Sequence, residues 1–206
     1  MAKNYVFLYR LSSDTGFAPC VQEGLLTLSC CKGGQIRNNK PCNTGLRYWI
    51  GSKRNGIDYE TDSVFVLGTY QNKFLYLAKI QEVVTMEQYF DSKGPKRFDQ
   101  IYSLKNNRLK RNDHLMKEGV HTFRDDWIRD FAGKYVLKSW DYIYLGAEAC
   151  YVEIVSKNNS KSRETKVYSD EIADSIISEC QKFKDEKTHK PSSSLKILNF
   201  SRRCSK

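Results

Sequence analysis

Residues 63–84 read SVFVLGTYQNKFLYLAKIQEVV. Two runs of β-branched and aromatic residues, 63–69 and 74–84, flank the polar stretch Tyr70-Gln71-Asn72-Lys73. That arrangement predicts a β-hairpin. The same character continues outward on both sides. YVFLYRL at 5–11 has the density of a buried strand, and KYVLKSWDYIYLG at 134–146 and residues 151–156 read as further strands. RYWIGS at 47–52 reads as a strand ending at Gly51. Residues 25–31 suit a strand or one helical turn, and residues 36–40 suit the start of a short helix. Thr85 is placed to cap a helix over 86–90, with Glu87 and Gln88 just inside it. Trp127, Ile128 and Phe131 recur at helical spacing. Ile172, Ile176, Cys180 and Phe183 lie at i, i+4, i+8 and i+11, one face of a C-terminal helix. These patterns predict an α+β fold: a mixed, partly closed sheet or barrel with flanking helices and the C-terminal helix outside. The expected division is one domain over 4–155. A charged linker, a helix and a basic tail then fill 156–206.

The chain has 206 residues, with 34 Lys and Arg against 24 Asp and Glu, a formal net charge of +10. The excess is clustered. Residues 93–117 hold eight cations against two acids, Asp99 and Asp113. A phosphate-rich partner accounts for such clustering, and so does a basic, soluble surface with no dedicated partner. Seven cysteines, the lack of a leader-like opening and the lack of an apolar run near 20 residues predict reduced thiols, a cytoplasmic setting and no membrane span.

Residues 14–51 read DTGFAPCVQEGLLTLSCCKGGQIRNNKPCNTGLRYWIG. Here a turn, a thiol pair and a cation cluster run into an aromatic stretch, a combination suited to a nucleotide. The expected ligand-binding residues are Asp14, Phe17, Lys32, Arg37 and Trp49 from this segment, with Trp140 and Tyr144 from the later strand. The expected pocket lies between the two. Each aromatic fits core packing or base stacking, the latter worth roughly 1–3 kcal/mol per base. Lys32, Arg37 and Lys40 fit a solvated loop or a phosphate. Asp14 fits a turn, where it accepts backbone N–H groups, or a base amine. The expected phosphate-binding residues are Lys96, Arg97, Arg108, Lys110 and Arg111.

For an enzyme, the reactive candidates are Asp14, Cys31 and His114, with His121 as an alternative base for the Cys31 thiol. The bland reading of Cys31 is a small buried hydrophobe. The cysteines lack the paired spacing of structural zinc, and neither a phosphate-binding P-loop nor a dinucleotide glycine motif is present. No metal and no cofactor are therefore expected.

Several ordered blocks carry a family resemblance. DTGFAP at 14–19, LTLSCCK at 26–32, QIR at 35–37, YWIGS at 48–52, FDQIY at 98–102 and YVLKSWDYIYLGAEA at 135–149 together resemble the nucleotide modification associated domain 2 family of bacteria and phages. The resemblance implies a link to modified DNA bases, through their synthesis or their recognition, and supplies no mechanism. A looser likeness is to the PUA-like group, including EVE and YTH domains, small barrels that bind RNA or flipped modified bases in aromatic pockets. The implied function is a module that binds DNA or a nucleotide and recognises a modified base. The alternatives are an enzyme acting on such a nucleotide in a phage or bacterial modification pathway, and a protein-interaction partner in a defence system.

Overall fold

The strand from Asn4 to Leu11 is paired along both edges, parallel to residues 63–70 and antiparallel to residues 166–169. This follows from its apolar side chains on both faces, which suit a central strand. The computed structural model describes residues 2–12, 14–38, 40–92, 97–106, 108–112, 124–159 and 166–184. In chain order the elements are β1 (Asn4–Leu11), β2 (Cys20–Gln22), β3 (Leu25–Leu28), β4 (Gln35–Arg37), β5 (Lys40–Cys42), α1 (Leu46–Gly51), β6 (Ser63–Tyr70), β7 (Lys73–Lys79), β8 (Glu82–Thr85), α2 (Met86–Asp91), β9 (Tyr102–Lys105), β10 (Arg108–Arg111), α3 (Arg124–Ala132), β11 (Tyr135–Ser139), β12 (Asp141–Tyr144), α4 (Glu153–Asn158), β13 (Lys166–Ser169) and α5 (Asp170–Gln181). No described helix is long and apolar enough to cross a membrane.

The chain divides into two units, each assembled from separate stretches of sequence. The first takes the described residues within 2–14, 56–81 and 139–184. Its sheet runs β12-β7-β6-β1-β13, with β1 and β6 parallel and the other pairs antiparallel. The β6–β7 hairpin turns at Gln71 and Asn72, both with positive φ (49° and 64°), the backbone that suits the twist of a two-residue loop. One face of the sheet presents Leu8, Leu67, Leu77 and Ile143 in register across four strands. Ala173, Ile176, Ile177 and Cys180 of α5, with Val152 and Val155 at α4, join them in one buried cluster. Burying each such aliphatic side chain contributes roughly 1.5–3 kcal/mol.

The second unit takes the described residues within 15–55 and 82–138. It holds a four-stranded sheet, β2-β3-β11-β8, and two two-stranded ribbons, β4–β5 and β9–β10. Helix α2 begins with a reciprocal cap: Gln88 N donates to the Thr85 hydroxyl at 3.2 Å and Thr85 N to the Gln88 side chain at 2.9 Å.

The α+β class is as expected from the sequence. No sheet among the described strands closes on itself, and several local expectations are corrected. Residues 47–52 lie in helix α1 rather than a strand: Leu46, Arg47 and Ile50 point inward at helical spacing while Trp49 points out. Residues 151–156 run into helix α4, where Val152 at the N-cap and Val155 are both buried and Glu153 pairs with Lys157 at 2.6 Å. Residues 35–42 form the β4–β5 hairpin, not a helix. The run 134–146 breaks at Trp140 into β11 and β12, which belong to different sheets. The stretch expected as a linker contains the end of α4. On α5 the buried face takes in Ala173 and Ile177 and leaves Ile172 47% exposed.

Candidate functional site

In the first unit, the sheet face opposite α5 carries a row of rings. Tyr9 pairs with Gly68, Gly68 with Tyr76, and Tyr76 with Tyr144, so all four positions share that face. The Tyr76 ring lies over Gly68; a Cβ built there would sit 1.9 Å from a Tyr76 ring carbon. Only glycine leaves that space, and this is the reason for a glycine inside a strand otherwise rich in bulky residues. Tyr9 meets Tyr76 edge-on, with centroids 6.4 Å apart. At the end of the row, the half-buried Tyr144 hydroxyl donates to Asp14 Oδ2 at 2.5 Å. Gly146 follows at φ 57°, where a Cβ would crowd the Tyr144 ring at 3.3 Å. Trp140 precedes β12 and is 51% exposed, and its backbone N–H donates to Gln81 Oε1 at 2.6 Å.

In the second unit, a buried arginine organises the turn after β3. Arg47, 1% exposed, donates to the carbonyls of Cys31 (2.8 Å), Tyr135 (2.5 Å) and Asp130 (2.6 Å). The buried Asp130 carboxylate accepts from Cys31 N at 2.7 Å and from the Tyr102 hydroxyl at 2.7 Å. These contacts hold Cys31 and Lys32 at φ 61° and 44°, two successive left-handed residues that are not glycine. Such backbone persists only where its surroundings over-determine it. Gly33 completes the turn against the Arg129 carbonyl, where a Cβ would stand 2.2 Å away. Burial, then the Asp130 charge, pushes the Tyr102 phenol well above its ordinary range. The Cys30 thiol is raised by its hydrogen bond with Cys31 and by burial.

A second buried acid, Asp99, accepts from the hydroxyls of Thr27 (2.5 Å) and Tyr89 (2.8 Å). Arg97 donates to the carbonyls of Gln22 (2.9 Å), Leu25 (3.0 Å) and Cys20 (3.2 Å) and to the Tyr89 hydroxyl (3.2 Å). Burial and the Asp99 charge push Cys20 up to about 12 and raise Tyr89 further still.

Set against the sequence expectations, the structure joins Asp14 with Tyr144, residues 130 apart in the chain. Phe17 is buried and stacks on Phe98 with centroids 4.8 Å apart. Lys32 is exposed at the strained turn, and Arg37 is exposed beside Gln35 at 3.3 Å. Trp49 is 43% exposed on the outer side of α1. Cys31 is half-buried. Arg108 and Lys110 are exposed on the β9–β10 ribbon, and Arg111 lies over the Trp127 ring at 4.9 Å. Lys96, His114 and His121 fall outside the described residues.

The sequence reading does not single out Tyr9, Gly68 or Tyr76: the two-residue turn alone sets Gly68 across from Leu75, and a β-bulge between Gly68 and Thr69 shifts its partner to Tyr76. Arg47 belongs by sequence to the cation cluster with Lys32, Arg37 and Lys40; its neighbours Leu46 and Ile50 at helical spacing are the signal that it points inward. No group of three or more His, Cys, Asp or Glu residues suited to a metal ion occurs among the described residues.

A search of curated proteins and a search of solved structures each return no match to this chain. The model of the nucleotide modification associated domain 2 family matches residues 3–197, nearly the whole chain and both units, and the protein belongs to that family.

Proposed function

We propose that the chain is a nucleotide-binding module of a DNA-modification system, and that it recognises a modified base or nucleotide through Asp14 and Tyr144. The observation that carries this reading is the Asp14–Tyr144 hydrogen bond at the end of the tyrosine row. A carboxylate accepts at two oxygens, and a phenol both donates and accepts. The pair therefore offers acceptors for a base amine or imino N–H: the carboxylate oxygens of Asp14, and the lone pair of the Tyr144 hydroxyl, whose hydrogen is committed to Asp14. Trp140, just before the other end of β12, is half exposed and has a flat ring of the kind on which bases stack. The family description supports the nucleotide part of the reading, and the net charge of +10 favours an anionic ligand. The PUA-like likeness supports the idea of a base held against aromatic walls by analogy alone.

The test is titration calorimetry with the deoxynucleotides and their base-modified forms. Tyr144→Phe and Asp14→Asn are each expected to weaken binding about tenfold or more, since a hydrogen bond to a charged group contributes roughly 1.5–3 kcal/mol. Unchanged affinity in both variants contradicts the reading.

A second reading, an enzyme acting on a nucleotide or modified base, has one observation in its favour. The strained Cys31–Lys32 turn is clamped by two buried charges, and strain of this kind clusters at active sites. Turnover of a deoxynucleotide that disappears in Cys31→Ser supports the enzyme; binding without turnover supports the module.

A further inference from the structure

The segment YSLKNNRLKR, residues 102–111, contains four cations and no acid. In the β9–β10 ribbon, Lys105 pairs with Arg108 and Ser103 with Lys110, so these four residues share one face. The alternate pairs, Tyr102 with Arg111 and Leu104 with Leu109, make the other.

The two faces have different surroundings within the second unit. On the Tyr102 side, that ring sits between Phe90 of α2 (centroids 5.3 Å apart) and Phe131 of α3 (4.8 Å), and its hydroxyl donates to Asp130. Arg111 rests on Trp127 of α3. This side anchors the ribbon. On the other side Lys105, Arg108 and Lys110 are all exposed, and none of them meets a carboxylate among the described residues.

Lysines on an exposed ribbon also serve to block edge-to-edge aggregation. That role does not require a second cation directly across from the first, and like charges opposite one another are destabilising. The Lys105–Arg108 pair places two there. An opposed pair costs stability in the free protein, and a polyanion lying along the ribbon neutralises it.

We propose that the outer face of β9–β10 is a binding surface for the phosphate backbone of duplex DNA, contacted by Lys105, Arg108 and Lys110. Successive positions on one face of a strand are about 6.6 Å apart. The cations are thus spread over two rows, which a single nucleotide monophosphate does not span and a chain of phosphates does. A two-stranded ribbon also has the size of the major groove, about 12 Å wide. This deepens the nucleotide reading, on which it rests for the chemical class of the anion, by making the substrate a polymer.

The test is fluorescence anisotropy of a labelled 20-base-pair duplex of arbitrary sequence, titrated with the full chain between 50 and 200 mM salt. Three phosphate contacts give a slope of log affinity against log salt near −2.7, roughly a fortyfold loss over that range. The variant Lys105→Gln/Arg108→Gln/Lys110→Gln is expected to lose most of that slope and at least tenfold in affinity at low salt. Its circular dichroism should match the wild type and its melting temperature should equal or slightly exceed it, because the three side chains are exposed and the opposed charges are gone. Lys105→Arg/Lys110→Arg, which keeps the charge, is expected to bind as the wild type does. Equal affinity and slope in the Gln variant overturns the inference, as does failure of the wild type to bind the duplex, or binding of RNA alone. Its failure is distinguishable from that of the base-recognition reading: Tyr144→Phe leaves the duplex salt slope in place, and the Gln variant leaves mononucleotide binding in place.

Discussion

The Tyr144 hydroxyl donates to the Asp14 carboxylate at 2.5 Å, joining the segment just after β1 to the edge strand β12 across 130 residues of chain. The bond stands at the end of a row of rings whose other members are packed into the sheet face. If it is only structural, Tyr144→Phe costs about 1–2 kcal/mol of stability and nothing else. If it reads a base, the same variant loses nucleotide affinity beyond its loss of stability. Thermal melts with and without a saturating deoxynucleotide separate the two, because a ligand stabilises the folded state only as far as it binds. A ligand-induced shift that vanishes in Tyr144→Phe and in Asp14→Asn is the expected outcome.

Gly68→Ala tests the floor of that row. The added methyl meets the Tyr76 ring at 1.9 Å, so the ring must move. The cost is about 1–3 kcal/mol or more, read as a lower denaturation midpoint. The double variant Gly68→Ala/Tyr76→Ala is expected to show strong non-additivity, since removing the ring removes the clash. Simple addition of the two single effects contradicts the packing described for this face.

Arg47→Met is expected to destabilise the second unit by about 3–5 kcal/mol, the cost of breaking a buried charged network from one side. The Cys31, Tyr135 and Asp130 carbonyls lose their shared donor. Arg47→Lys should fail almost as badly, because a lysine lacks the planar fork that reaches three carbonyls at once. Urea unfolding followed through the three tryptophans measures both; a midpoint within error of the wild type refutes the arrangement.

Alkaline pH should unfold the second unit through its buried phenols and thiols. Cys20 rises from an ordinary 9.0 to about 12, and Tyr89 and Tyr102 are raised from 10.0. Each group keeps its proton in the folded state after the unfolded chain has lost it. Stability is therefore intact below pH 9, falls from pH 9 through the thiols of Cys20 and Cys30, and falls more steeply above pH 10 as the phenols join. One phenol contributes about 1.4 kcal/mol per pH unit in that window. Tyr102→Phe should flatten the decline above pH 10 and leave the part between pH 9 and 10 unchanged, as read from stability curves in buffered urea.

The hairpin at 63–84, the strand at 5–11 and the Thr85 cap were legible because their signals are local: alternation, a two-residue turn and a hydroxyl ahead of a helix. Residues 47–52 and 151–156 were misread because aromatic and β-branched content outweighed spacing. The spacing that separates Arg47 from Trp49, and aligns Val152 with Val155, was the better guide. The break at Trp140 could not be seen, since β11 and β12 each satisfy strand patterning and only their partners differ. In the candidate site, Asp14 and Tyr144 were named separately, and no local signal pairs residues so far apart. The burial of Arg47 and Asp130 depends on contacts between distant segments, so Arg47 resembled any other cation in a basic stretch.

The central claim is that Asp14 and Tyr144 meet a nucleotide. The most direct measurement is an amide-resolved NMR titration of the isotope-labelled protein with a panel of natural and base-modified deoxynucleotides. Saturable shifts centred on residues 14 and 144–146, lost in Asp14→Asn, are the expected result. No shift at millimolar nucleotide, or shifts confined to residues far from these in the sheet, would contradict it.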